Sequence, residues 1–294
     1  MQSIVSYPDR GKWGNNKYKG NCTGYLIKDL LNEYKPKFFV EVFAGGGTGF
    51  EVARSLGYQN SIHLDLNGKF GESFNILTDE IPSGSDFVFS HPPYHTMHTY
   101  SGEMWGSEAH PDDLSRCSSY EEFIYKMNIC NSKIYNSLLN GGRHAMLIGD
   151  MKLKGKYYSM IKDLAWYGDI DSHIIKEQHN FRSQNKNYNG KFIPIVHEHL
   201  LVFKKNSIWS IPVQRTMTVI KNLQDSTLAT WRDLVQAALQ TCNGKAKLAD
   251  IYNILRDTNK AKRNPNFEAK VRQILQLNKE FTSVERGVWM LAAA

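Results

Sequence analysis

The 294-residue chain lacks any apolar run near the ~18 residues that a membrane span needs, so no membrane role is expected. It has little cysteine. Cys22, Cys117, Cys130 and Cys242 are widely spaced and form no C-x-x-C pair, which argues against a zinc site and against a disulfide framework. No metal is expected. Residues 1–10 lack the charged-then-apolar pattern of a secretory leader, and the expected location is cytoplasmic, with reduced and mostly buried thiols. Internal repeats and low-complexity tracts are missing as well. Acidic excess is absent: 36 Lys and Arg stand against 29 Asp and Glu, a net charge of +7. That sign favours a polyanionic partner, because neutralised phosphates release counterions, but it has weight only beside a motif.

What is present is an ordinary globular composition, 41% hydrophobic and 22% charged, on a chain long enough for one large domain and a small satellite. The first 20 residues are polar and extended. Leu26, Ile27, Leu30, Leu31 and Tyr34 then share one helical face, and Pro36 ends it. Phe38–Phe43 predicts a buried strand, followed by a glycine turn and a helix to about Gly57. Strands are expected at Ser61–Leu66, Asp86–Phe89, His144–Gly149, Ile174–Ile175 and His197–Phe203. Helices are expected from Ser119 to Gly141 and from Gly155 to Trp166. This β-then-α alternation predicts a Rossmann-like α/β sheet, mostly parallel, with an antiparallel last pair. A composition shift near Ile211–Asp225 divides the chain into 1–210 and 211–294. The tail holds three helical patterns, Thr230–Gln240, Leu248–Asp257 and Asn266–Leu277, and an alternating Phe281–Leu291, the outline of a winged-helix-like domain. Its expected core is Trp231, Leu234, Ile251, Leu255, Val271, Ile274, Leu275 and Trp289.

The segment Val40-Glu41-Val42-Phe43-Ala44-Gly45-Gly46-Gly47-Thr48-Gly49 joins the first strand to its helix. Glycines there let the backbone approach a ligand at the carboxyl end of a strand, where open α/β sheets bind nucleotides. Glu41, Phe43, Gly45, Gly47 and Thr48 are the candidate contacts. A dinucleotide would fit this signal equally well. Asp65, about 20 residues on, stands where a carboxylate accepts from ribose hydroxyls. Asn75 stands where an amide could read an adenine edge, with Asp79 as its competitor.

The most specific feature is Ser90-His91-Pro92-Pro93-Tyr94. It resembles the motif of the amino-group DNA methyltransferases, in which Asp, Asn or Ser precedes Pro-Pro-Tyr or Pro-Pro-Phe. An exocyclic amino group is a poor nucleophile, because its lone pair is delocalised into the ring. Acceptors that hold its protons localise that pair toward a sulfonium methyl. The resemblance implies S-adenosylmethionine as cofactor. It implies His91 and the Pro92 carbonyl as the acceptors, Pro93 as a stiffener of the turn, and Tyr94 as the face that stacks on a flipped base. His91 departs from the family pattern. A neutral imidazole accepts one hydrogen bond and an imidazolium none.

Gly20-Asn21-Cys22-Thr23-Gly24-Tyr25-Leu26-Ile27 resembles the family segment that holds the cofactor's methionine end, with Asn21 and Thr23 as contacts. Thr23 would equally serve as a helix cap. The order of segments resembles the gamma arrangement, with DNA recognition after the catalytic motif, and the resemblance covers about residues 5 to 205. Two loops are expected to reach double-stranded DNA: His95–Cys117, with Tyr100, Trp105 and Arg116, and His179–Lys191, with Arg182, Lys186, Asn187 and Lys191. In the tail, Lys270 and Arg272 lie on the third helix, as a DNA-binding or a dimerisation face. The expected function is N6-adenine methylation in a specific duplex site, of the kind used in restriction-modification, by a monomer or homodimer. The alternatives are N4-cytosine methylation, a protein-glutamine or RNA methyltransferase, and an inactive DNA-binding relative.

Overall fold

The computed structural model describes residues 1–69, 73–179, 193–206, 223–224, 226 and 228–292. Two compact units emerge. The first comprises Met1–Asp79, Phe87–Ser132 and Arg143–Lys204; the second comprises Glu80–Asp86, Lys133–Gly142 and Lys205–Ala294. The boundary expected between 210 and 211 falls outside the described residues.

The first unit is built on a seven-stranded Rossmann-like sheet. Its strands are β1 (Ile4–Val5), β2 (Phe39–Val42), β3 (Ile62–Leu64), β4 (Ser85–Ser90), β5 (Leu138–Ile148), β8 (Asp169–Glu177) and β9 (His197–Lys204), in the order β1-β8-β9-β5-β4-β2-β3. β2 pairs parallel to β3 and β4, and β1 pairs parallel to β8. β9 runs antiparallel to both β5 and β8, as expected of the late pair. The four residues of β2 are all buried, so the strand reads as a continuous apolar run interrupted only by Glu41. The pairing of β1 was not legible in the polar first 20 residues.

Helix α1 (Gly24–Tyr34) starts where Thr23 caps it, its hydroxyl accepting from the Tyr25 amide at 3.3 Å, and stops at Lys35 in a left-handed conformation before Pro36. It buries Leu26, Ile27, Leu30 and Leu31 against Phe39, Phe87, Phe89, Ala145, Leu147, Leu200 and Val202 of the sheet. Each such aliphatic side chain contributes roughly 2 kcal/mol of burial. Helix α2 (Thr48–Ser55) adds Val52 and Ala53 to the same core. This layer holds the carboxyl ends of β2, β3 and β4 in fixed register.

Two expected elements differ. Helix α3 (Tyr120–Ser137) ends four residues before Gly141, and strand β5 takes over at Leu138. Gly141 and Gly142 exchange backbone hydrogen bonds with Lys205, which extends a ladder and not a helix. The expected helix from Gly155 to Trp166 is instead a hairpin, β6 (Met151–Leu153) with β7 (Lys156–Tyr158), followed by the single-turn α4 (Met160–Asp163). Lys154 and Gly155 both have positive φ and form the turn.

The second unit gathers helices α5 (Trp231–Thr241), α6 (Leu248–Leu255), α7 (Asn259–Lys262) and α8 (Phe267–Leu277) with a three-stranded antiparallel sheet, β10 (Lys245–Lys247), β11 (Phe281–Glu285) and β12 (Val288–Leu291), in the order β10-β12-β11. Thr230 and Asp233 form a reciprocal capping box on α5. Leu234, Ile251, Leu255, Val271 and Leu275 are buried together, and Trp231, Ile274 and Trp289 pack on them. Leu139, from before the tail, belongs to this core too.

Candidate active site

A cavity opens at the carboxyl ends of β2, β3 and β4. The glycine turn forms its floor. Phe43 takes a left-handed conformation (φ 65°), as do Gly45 and Gly47, so the chain folds back sharply after β2. Gly47 then becomes the N-cap of α2. Close packing explains the glycines: a Cβ on Gly45 would stand 3.0 Å from the Tyr18 ring, and one on Gly46 would stand 2.2 Å from the Asn21 amide.

Asp65 follows β3. Its carboxylate accepts from the Gly45 amide at 2.7 Å and from the Asn67 amide at 2.9 Å. Burial pushes its pKa up to about 6, although those two amides favour the ionised form. Asn75 lies outside any strand and opens a turn. Its amide donates to Asp112 at 2.7 Å and accepts from Leu77, while Asp79 caps the same turn through the Asn75 backbone.

The HPPY turn leaves β4 on the other side of the cavity. His91 and Pro93 line it. The His91 Nε2 lies 3.0 Å from the Tyr94 hydroxyl, and that hydroxyl donates to Glu198 Oε1 at 2.7 Å. Lys176 donates to Glu198 Oε2 at 2.8 Å. Burial lowers the His91 pKa to about 4, only partly offset by Glu198. Burial alone would raise Glu198, yet Lys176 and the hydrogen bonds it receives hold it below the usual carboxylate range. Burial drives the Tyr94 phenol well above its ordinary value, so it stays protonated. Tyr94 itself is not a lining residue. Its hydroxyl points inward to Glu198, and its ring lies against Gly149.

The roof is the loop after the motif. Asp113 organises it, accepting from the amides and hydroxyls of Ser101 and Ser115 at 2.6–2.9 Å. Tyr100 stacks on Tyr18 with ring centroids 5.6 Å apart, and Trp105 completes the lining.

Of the expected cofactor contacts, Asn21, Phe43, Gly45, Asp65 and Asn75 line the cavity. Thr23, Glu41, Gly47 and Thr48 do not. Thr23 and Gly47 cap helices. Buried Glu41 pairs with His63 at 2.6 Å beneath Gly49, and Thr48 packs against Gly14. Among the expected DNA contacts, Tyr100 lines the cavity, and Arg116 donates back to the Ser101 carbonyl. Arg182 and Lys186 lie outside the described residues. Lys270 and Arg272 are on α8, where Arg272 donates to the Tyr252 hydroxyl at 3.0 Å.

Sequence reasoning missed Tyr18, Asp112, Asp113, Lys176 and Glu198. Glu198 carried a signal: a carboxylate in a strand that runs on through the apolar Leu200, Leu201, Val202 and Phe203 needs a buried partner.

The lining answers one question that the glycine turn left open. Among the described residues it contains Asp65, Asp112 and Asp113 and no Lys or Arg. Such a wall repels a pyrophosphate and suits hydroxyls, amines and a sulfonium cation.

No known family profile matches the chain, and no curated protein matches it. Among solved structures it is similar to TrmN from Thermus thermophilus, with 17% identity, 64% of this chain and 50% of that one covered, and a TM-score of 0.41. It is similar to the proposed DNA modification methylase TTHA0409 of the same organism, complexed with S-adenosyl-L-methionine, with 16% identity, coverage of 68% and 74%, and a TM-score of 0.30. A third is the N-methyltransferase NodS from Bradyrhizobium japonicum in complex with S-adenosyl-L-homocysteine, with 10% identity, coverage of 62% and 85%, and a TM-score of 0.37. The chain thus spans half the length of TrmN.

Proposed function

We propose that this chain is an S-adenosylmethionine-dependent methyltransferase that acts on the exocyclic 6-amino group of adenine in double-stranded DNA. One observation carries the reading: His91 and Pro93 of the HPPY turn line the same cavity as Gly45, Asp65 and Asn75. A nucleoside-binding floor and an amino-group acceptor therefore share one space.

The donor set fits the cofactor. Each Asp65 oxygen accepts one amide and keeps a lone pair for a ribose hydroxyl. Val42, Phe43, Leu64, Leu66, Phe74 and Ile76 offer an apolar slot for a base. When bound, S-adenosylmethionine supplies an electrophilic methyl on a sulfonium. The chain's own part is to bind, orient and hold protons. Neutral His91 accepts a hydrogen bond from one N–H of the target amino group, and the Pro92 carbonyl accepts one from the other. The lone pair then projects out of the base plane, and transfer depends on positioning. After transfer the surplus proton leaves the nitrogen through His91 to solvent. The roof residues Tyr100 and Trp105 shield the site from water. The winged-helix-like second unit is proposed as the DNA anchor, with Lys270 and Arg272 toward phosphate.

The test is incubation with methyl-labelled S-adenosylmethionine and mixed-sequence duplex DNA, followed by nucleoside mass spectrometry. N6-methyladenine is expected, and His91→Ala should lower turnover roughly 100-fold or more while cofactor affinity persists. N4-methylcytosine alone would reassign the base. Methylated RNA or protein in place of DNA would reassign the substrate, and equal turnover in the variant would remove His91 from the mechanism.

A further inference from the structure

A buried chain of four side chains runs from β8 and β9 to the cavity wall. Lys176 donates to Glu198, the Tyr94 hydroxyl reaches the other Glu198 oxygen at 2.7 Å, and the same hydroxyl lies 3.0 Å from His91 Nε2. Tyr94 has a single hydroxyl hydrogen for two neighbours. An ionised carboxylate is acceptor-only, and a charge-assisted O–H···O bond outcompetes one to a neutral ring nitrogen. The hydrogen therefore goes to Glu198, and the phenol oxygen presents a lone pair to His91. The matching partner at Nε2 is an N–H. The other ring nitrogen, Nδ1, has no hydrogen-bond partner among the described residues, and His91 lines the cavity.

We propose that Glu198 is a positioning residue that sets the His91 tautomer: acting through Tyr94, it keeps the imidazole hydrogen on Nε2 and leaves Nδ1 as a bare acceptor facing the substrate. Lys176 serves this arrangement by keeping Glu198 ionised in a buried position. The motif's histidine is then usable because of two residues about 80 and 100 positions downstream. The proposal extends the reading of His91 as the amino-group acceptor, but the tautomer can be measured without any substrate.

The experiment is nitrogen NMR on the full chain with labelled histidine, His91 being assigned by loss of its signals in His91→Ala. In the wild type at neutral pH, hydrogen is expected on Nε2 and a pyridine-type resonance at Nδ1. Tyr94→Phe removes one oxygen, and Glu198→Gln removes the charge. Both should give a tautomer mixture and lower kcat several-fold with little change in KM for DNA. Should Glu198→Gln fail to fold with Lys176 unpaired, Glu198→Asp keeps the charge and withdraws the carboxylate by one methylene, and the same mixture is expected. Hydrogen on Nδ1 in the wild type, or an unchanged tautomer in the Tyr94 or Glu198 variants, would overturn the proposal. The expected spectra without any methyl transfer would leave the relay standing and reject the methyltransferase reading.

Discussion

The carboxylate of Asp65 accepts the backbone amide of Gly45 at 2.7 Å, which joins the end of β3 to the turn that follows β2. Removing it affects both the ligand and the shape of the turn. Asp65→Asn retains one acceptor and places an amide donor against a second N–H. Binding of S-adenosylhomocysteine should weaken about tenfold or more, roughly 1.4 kcal/mol. Because burial raises this carboxyl to about 6, and only its ionised form accepts two ligand hydroxyls, wild-type affinity should also decline as pH drops below 6. Titration calorimetry from pH 5 to 8 reads both effects, and a flat profile would argue against a ribose contact.

The two buried histidines beside the motif predict an acid limb in stability. His91 titrates near 6.5 in an unfolded chain and near 4 when folded; His144, bonded to Ser90 at 2.7 Å, is lowered by burial to about 3. Between those values the unfolded chain holds more protons. Stability is complete above pH 6.5 and declines as pH falls toward 4 and then 3. The His91 share is about 3 kcal/mol. The Glu198 carboxylate and Lys176 ammonium face this ring and oppose each other, so burial dominates. Urea unfolding at several pH values should show a shallower slope in His91→Ala than in the wild type, and identical slopes would refute the assignment.

Gly49→Ala should be severe although the residue touches no ligand. A Cβ there would lie 2.1 Å from Glu41 Oε1, and Glu41 is buried and pinned by His63. Overpacking of this kind costs about 3 kcal/mol, or roughly 6–12 °C in Tm. Thermal unfolding measures it, and a change under 2 °C would contradict the packing described here.

For the tail, deletion is a poor probe, because it would strip Leu139 of its buried neighbours. The double variant Lys270→Glu and Arg272→Glu leaves that core intact. DNA affinity should fall and the slope of log K against log salt should lessen by about 1–2, with Tm and cofactor affinity unchanged. Unchanged DNA binding would remove α8 from the interface.

Much of the frame was legible in the sequence for local reasons. Leu26, Ile27, Leu30 and Leu31 mark a helix face by spacing, and Phe39–Val42 marks a buried strand by its apolar run. His91 and Asp65 were found because each sits within a few residues of a strand end. Glu198, Lys176 and Asp112 were not, because their roles depend on pairings between distant segments. Glu41 shows the opposite case: an acidic residue inside a binding motif is buried and hydrogen-bonded to His63.

The place of β9 has a consequence for synthesis. It lies between β5 and β8, and Ile4–Val5 pairs with Ile175–Lys176. A nascent chain cannot close this sheet until residue 204 has left the ribosome, and its first strand waits for a partner made about 170 residues later. A chain halted before 197 would carry β5 and β8 as bare edges, open to pairing with other chains.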